Sequence, residues 1–126
     1  MGNTRKWVKI KMGKNFIMAE IADNFFKKAK GLMFRKSLPV SQGMIFVFPK
    51  EGYHTFWMMF TRIPLDIIWI NSFREIVHIE RDLKPKLISF KTYRPNEKAK
   101  YVLEIWAKSA EKFGIKVGDK VQFESS

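Results

Sequence analysis

The tightest constraint on this chain comes from two stretches that are apolar at consecutive positions rather than at alternate ones, GMIFVFP (Gly43 to Pro49) and FWMMFTRIPLDIIWI (Phe56 to Ile70). Successive side chains on a strand point to opposite faces. Met44, Phe46 and Phe48 therefore face away from Ile45 and Val47, and Leu65, Ile67 and Trp69 face away from Ile68 and Ile70. Strands that are apolar on both sides need cover on both sides, from a second sheet, from helices or from a partner chain.

The rest of the chain punctuates into short elements. Trp7, Val8 and Ile10 predict a first strand, and Gly13 to Asn15 turn into a second at Phe16 to Ala22. Asp23 is expected to cap a short helix over Asn24 to Lys30, ended by Gly31, with Lys27, Lys28 and Lys30 at its negative end. Strands follow at Met44 to Phe48, Tyr53 to Phe60, Leu65 to Asn71, Ile76 to Glu80 and Tyr101 to Trp106. Residues 82–100, with two prolines and many charges, are expected to form an irregular excursion. Ser109 to Phe113 predicts a short helix and Val121 to Phe123 a last strand. The expectation is a single domain over residues 1–126, mainly β, an antiparallel two-sheet sandwich or distorted barrel with one or two short helices. At 46% hydrophobic residues, with 12 Phe and 4 Trp, the core material suffices.

The net charge of +12 is concentrated. Residues 1–36 hold ten Lys or Arg against Glu20 and Asp23, and residues 82–100 hold six against Asp82 and Glu97, while the remaining stretches balance. The chain has no cysteine, which removes disulfides and thiolate metal sites, and His54 and His78 stand in no spaced ligand motif, so neither metal nor cofactor is expected. The N-terminus reads as polar and basic without a secretory signal, and Arg62, Pro64 and Asp66 interrupt the longest apolar run before the roughly 18 residues of a spanning helix. A cytoplasmic protein without a membrane span is the expectation.

Asp66 is the first candidate site residue. Alternation puts it on the face of Ile68 and Ile70, where an ionised carboxylate is costly unless paired, and Arg62 and Arg35 are the cations within reach of the pattern. Glu104 poses the same problem between Val102 and Trp106. Trp57, Met58, Thr61 and Arg62 add a ring, a thioether, a hydroxyl and a cation near one strand end, a mixture suited to a small-molecule pocket, although core packing is the ordinary fate of Met and aromatic runs. In the 82–100 segment Lys84, Lys86, Lys91 and Arg94 interleave with Tyr93 and Phe90, the composition that tracks phosphates and stacks bases, or simply a solvated basic surface. GxSxG, GxxxxGK[ST] and GxGxxG are absent.

GLMFR at Gly31 to Arg35, GMIFVF at Gly43 to Phe48, FWM at Phe56 to Met58, IPLDIIWI at Ile63 to Ile70, YVLE at Tyr101 to Glu104 and GIKVGD at Gly114 to Asp119 stand in an order that resembles the family known as domain of unknown function 192, or uncharacterised protein family 0127. The resemblance spans about residues 22–121 and implies a mainly β, sandwich-like fold with no established chemistry. Arg35, Trp57, Met58, Thr61, Pro64, Asp66 and Glu104 match. Two positions depart. Met59, Phe60 and Thr61 stand where the family commonly has Lys-Asn-Thr, and Lys108 stands where it commonly has Gly.

These readings favour a binding or accessory module over an enzyme, with a small-ligand pocket near Asp66 drawing on Arg35, Trp57, Met58, Thr61, Arg62 and Glu104. The alternatives are a polyanion- or RNA-binding module through residues 1–36 and 84–100, and a carbohydrate-active or other hydrolase in which Asp66 and Glu104 divide acid and base roles.

Overall fold

The computed structural model describes residues 5–125; residues 1–4 of the basic N-terminal segment, and Ser126, lie outside the described residues. Nine strands and two short helices follow one another as β1 (Trp7–Met12), β2 (Asn15–Ala22), α1 (Phe25–Lys30), β3 (Gln42–Gly52), β4 (Phe56–Trp57), β5 (Leu65–Ile70), β6 (Ile76–Leu83), β7 (Thr92–Tyr93), β8 (Ala99–Trp106), α2 (Ser109–Lys112) and β9 (Val121–Ser125). Seven of the strands form one sheet in the order β6-β5-β8-β3-β2-β1-β9, and β4 pairs with β7 in a small second sheet. The mainly β class with two short helices is the one the sequence predicts. Every ladder in the large sheet is antiparallel except β2 with β3, which run parallel because α1 carries the chain across between them.

The two-sided apolar strands lie where their pattern demands. β5 is buried at all six positions. Ile68 and Ile70 join Ile10, Ile17, Ile45, Leu103 and Ile105 in one cluster, whereas Leu65, Ile67 and Trp69 join Phe46, Met58, Ile63 and Val102 in another on the opposite face. Burying each such side chain contributes about 1.5–3 kcal/mol. Trp69 is fully enclosed because its one polar atom is satisfied: Nε1 donates to the carbonyl of His54 at 2.8 Å.

Several local expectations are corrected. Asn24, not Asp23, caps α1, its Oδ1 accepting the Lys27 N–H at 2.9 Å. The strand expected over Tyr53 to Phe60 is paired only at Phe56–Trp57, because the Thr61 N–H turns back to the Met58 carbonyl and Phe60 takes a left-handed φ of 56°. Its partner β7 lies inside the stretch read as irregular. β6 runs past Glu80 to Leu83, through a register irregularity opposite Leu65 to Ile67 where Asp82 has a φ of 53°.

Candidate functional site

Glu104 sits in the middle of β8, opposite Met44 on β3 and Ile67 on β5. Residues opposed across an antiparallel ladder share a face, so its carboxyl enters the side of the sheet covered by the Phe46–Ile67–Trp69 cluster. That side is not closed over it. The end of α1 passes above, and at Gly31, with φ 50°, the helix stops and the backbone comes close: a Cβ there would lie 3.2 Å from Phe46 Cζ and 3.9 Å from Glu104 Oε1. The missing side chain leaves the approach to the carboxyl open.

The result is a cleft of about 650 Å³ with Glu104 at its floor. One wall is the end of α1 at Lys28 to Lys30 with the turn Gly31 to Met33 that follows, another is β3 through Phe46 and Phe48, and the third is the run from Tyr53 to Trp57, with Met59 and Thr61 at its end. Aromatic packing fixes these walls. Phe46 meets Phe56 edge-on at 4.8 Å, and His54 stacks on Phe48 at 3.6 Å with the rings 8° from parallel. Lys28 lies over the same Phe48 ring at 4.8 Å while its Nζ donates to the Val47 carbonyl at 3.2 Å.

Among the described residues the Glu104 carboxyl has no hydrogen bond and no ion pair, although Glu104 is only 4% exposed. Every fully shielded polar side-chain atom of the described residues has a partner. The Glu104 oxygens therefore keep their only unprotected contact with the cleft. Burial pushes this carboxyl up to about 8, so at neutral pH it is mostly protonated and offers an O–H donor beside a carbonyl acceptor.

The sequence-derived candidates separate. Trp57, Thr61 and Glu104 line the cleft. Met58 is packed into the core below it, and Arg62 points to solvent. Arg35 reaches neither Asp66 nor the cleft floor: it donates to Glu20 Oε1 at 2.8 Å. Asp66 is fully buried and its expected arginine partner is replaced by three backbone amides. Oδ1 accepts from Asp82 at 2.7 Å and from Lys108 at 3.1 Å, and Oδ2 accepts from Ala110 at 2.8 Å. Asp66 opposes Ile105, one residue past Glu104, so the two carboxyls stand on opposite faces of the sheet and cannot share a substrate. In the basic segment Lys84 is held by Asp82, Lys91 lies over Tyr93 at 5.1 Å and Arg94 over Tyr53 at 4.4 Å.

Sequence reasoning missed Lys28, Gly31, Phe46, Phe48, Tyr53 and His54 as cleft residues. The one available signal was Gly31, which marks a close approach as well as a helix end. The two departures from the resembled pattern both fall where the backbone is left-handed. Phe60 and Lys108 have φ of 56° and 72°, and Asn and Gly are the residues that favour this left-handed region. Phe60 gains packing at this position by stacking on Phe34 at 5.2 Å.

A mainly β fold with an aromatic-walled cleft over a buried carboxyl defines the class of this protein. The DUF192 family, described as Uncharacterized ACR, matches residues 8–123, and the chain belongs to this family. A UPF0127 protein of Pyrococcus furiosus is 36% identical over 112 residues, covering 85% of this chain and 87% of that one. A UPF0127 protein of Thermococcus sibiricus is 30% identical over 110 residues, covering 83% of this chain and 65% of that longer protein. Among solved structures, a protein of unknown function from Novosphingobium aromaticivorans superimposes with a TM-score of 0.82 at 34% identity, over 94% of this chain and 84% of that one. Another, from Sinorhizobium meliloti and described as a candidate transcription regulator, gives 0.86 at 25% identity, over 98% and 96%. Among the described residues no helix is long and apolar enough to cross a membrane.

Proposed function

We propose that this protein is a small-ligand-binding module whose site is the cleft above Glu104 rather than the surroundings of Asp66. The observation that supports it is the unpartnered carboxyl at the floor. The Glu104 side chain is nearly enclosed, yet its oxygens are not sealed off and open into the cleft, where the polar head of a ligand can meet them. The cleft volume lies in the range of sites for small organic molecules, and its walls combine aromatic rings with polar groups from Lys28, Lys30, His54, Thr55 and Thr61. The ligand that fits has a flat or apolar body for Phe46, Phe48, Phe56 and Trp57 and a polar head that exchanges hydrogen bonds with Glu104.

Two-dimensional amide NMR during a screen of small aromatic alcohols, amides and amines tests this reading. Binders should shift the amides of Gly31, Trp57 and Glu104 together, and Glu104→Ala should weaken them at least tenfold. A screen in which no compound moves these amides would end the proposal.

The hydrolase alternative loses its second carboxylate to the other face of the sheet. The polyanion alternative keeps exposed Lys84, Lys86, Lys91 and Arg94, but the Tyr93 ring that was to stack on bases already carries Lys91.

A further inference from the structure

The segment between β6 and β7 carries a feature that the cleft does not use. Leu87, Ile88 and Phe90 are 75%, 66% and 75% exposed, three large apolar side chains within four residues. They are not on a loose loop. The Lys86 N–H donates to the Thr61 carbonyl and the Leu87 carbonyl accepts the Phe60 N–H, both at 3.0 Å, so the backbone is tied to the 60–61 turn. Phe90 in turn packs edge-on against Trp57 at 6.3 Å, and Trp57 is itself 40% exposed.

We infer that this apolar tip, flanked by Lys84, Lys86 and Lys91, docks the protein on the surface of an anionic lipid bilayer, with Leu87, Ile88 and Phe90 entering the headgroup–acyl boundary. Charge complementarity selects the occupant. Residues 82–100 hold six basic side chains against two acidic ones; Lys86 and Lys91 are exposed on either side of the apolar tip in sequence, and Lys84, also exposed, is paired with Asp82. Cations within a Debye length of an anionic leaflet are attracted to it, and apolar side chains shown beside them gain by leaving water. A nucleic acid would answer the lysines equally well. It would not reward Leu87 and Ile88, which have no π-face on which a base can stack. The tip projects aliphatic as well as aromatic surface, and a bilayer accepts both.

Co-sedimentation with vesicles tests the inference independently of the cleft. The full chain should sediment with phosphatidylcholine–phosphatidylglycerol vesicles at 1:1 and about tenfold less with pure phosphatidylcholine. The triple variant Leu87→Ser, Ile88→Ser, Phe90→Ser should lose at least tenfold in partitioning while its amide spectrum stays folded. Brominated acyl chains should quench part of the tryptophan fluorescence of wild type and clearly less in Trp57→Phe, since Trp57 is the 40% exposed indole beside Phe90 while Trp69 is enclosed. Absence of sedimentation with the anionic vesicles, or binding that the triple variant retains in full, would overturn the inference. So would single-stranded RNA binding unaffected by the triple variant together with no quenching by brominated lipid, which would assign the surface to nucleic acid. Glu104→Ala should leave vesicle binding unchanged, so failure of the cleft reading and failure of this one are separable.

Discussion

Oδ2 of Asp66 accepts the backbone N–H of Ala110 at 2.8 Å, joining residues 44 positions apart. With the amides of Asp82 and Lys108 on Oδ1, one carboxylate fastens β5 to the end of β6 and to the turn that enters α2. Asp66→Asn exchanges an acceptor oxygen for an NH₂ that faces N–H donors. At least one buried amide is then left without a partner, and a loss of about 2–4 kcal/mol is expected in urea unfolding at pH 7. Equal stability of the two proteins would mean that the three amides are satisfied in another way.

Glu104 predicts a pH dependence of opposite sense to ordinary acid denaturation. Below its ordinary value of 4.5 the group is protonated in both the folded and unfolded chains. Between there and about 8 the unfolded chain has released the proton and the folded one retains it, so stability falls as pH rises, by up to about 1.4 kcal/mol per pH unit from this group. Above about 8 the effect levels off. Unfolding of wild type and Glu104→Gln from pH 5 to 9 checks it: the difference should grow toward pH 8, with the variant more stable at pH 9. A difference independent of pH would show that the carboxyl titrates normally.

The Lys108 backbone holds φ at 72° while its N–H serves Asp66. A side chain in this region costs roughly 1–2 kcal/mol. Lys108→Gly keeps the amide and removes the Cβ, and part of that cost returns as unfolded-state entropy, so a net gain of about 0.5–1 kcal/mol is expected by thermal unfolding. Destabilisation would mean that the lysine side chain contributes more than its backbone costs.

Gly43 faces a harder limit. A Cβ there would come within 2.5 Å of the Glu104 carbonyl oxygen and 2.9 Å of Ile105 Cγ2, both across the β3–β8 ladder. The close atom is backbone and cannot swing aside. Gly43→Ala should cost about 1–3 kcal/mol or more and should also shift the Glu104 amide, since it spreads the strands at the cleft floor. A fully stable variant with an unchanged Glu104 amide would show that the ladder yields elsewhere.

Arg35 and Glu20 form a part-buried ion pair. The Glu20 side chain is nearly enclosed, and Arg5 stands at 3.8 Å as a second, exposed cation. Arg35→Met should therefore lose about 1–3 kcal/mol, with most of it recovered by adding Glu20→Gln, as measured in a double-mutant cycle. Additive losses would show that Arg35 acts through packing alone.

Legibility in the sequence follows the physics of each signal. Two-sided apolar runs announced buried strands because alternation can be read on both faces at once, and β5 has no exposed position. Asp66 and Glu104 stood out because a charge on an apolar face demands an account. Their partners did not. Backbone N–H groups carry no residue signature, so three amides left no trace where Arg35 and Arg62 did, and the opening above Glu104 depends on where α1 lies after its crossover. The β4–β7 pair was illegible because two residues are too few to show a period. Phe60 ended its strand through a backbone angle that an apolar pattern does not record.

β1 is held between β2 and β9, and its second neighbour is the last of the described strands. During translation, about 110 residues separate the emergence of Met12 from that of Val121, which at 5–20 residues per second is roughly 5–20 s. Throughout that interval a nascent β1 offers a free row of amides and carbonyls to any other newborn chain on the same polysome. Lys9 and Lys11, alternate residues on that strand, give it a charged side that discourages such a match until residues 121–125 arrive.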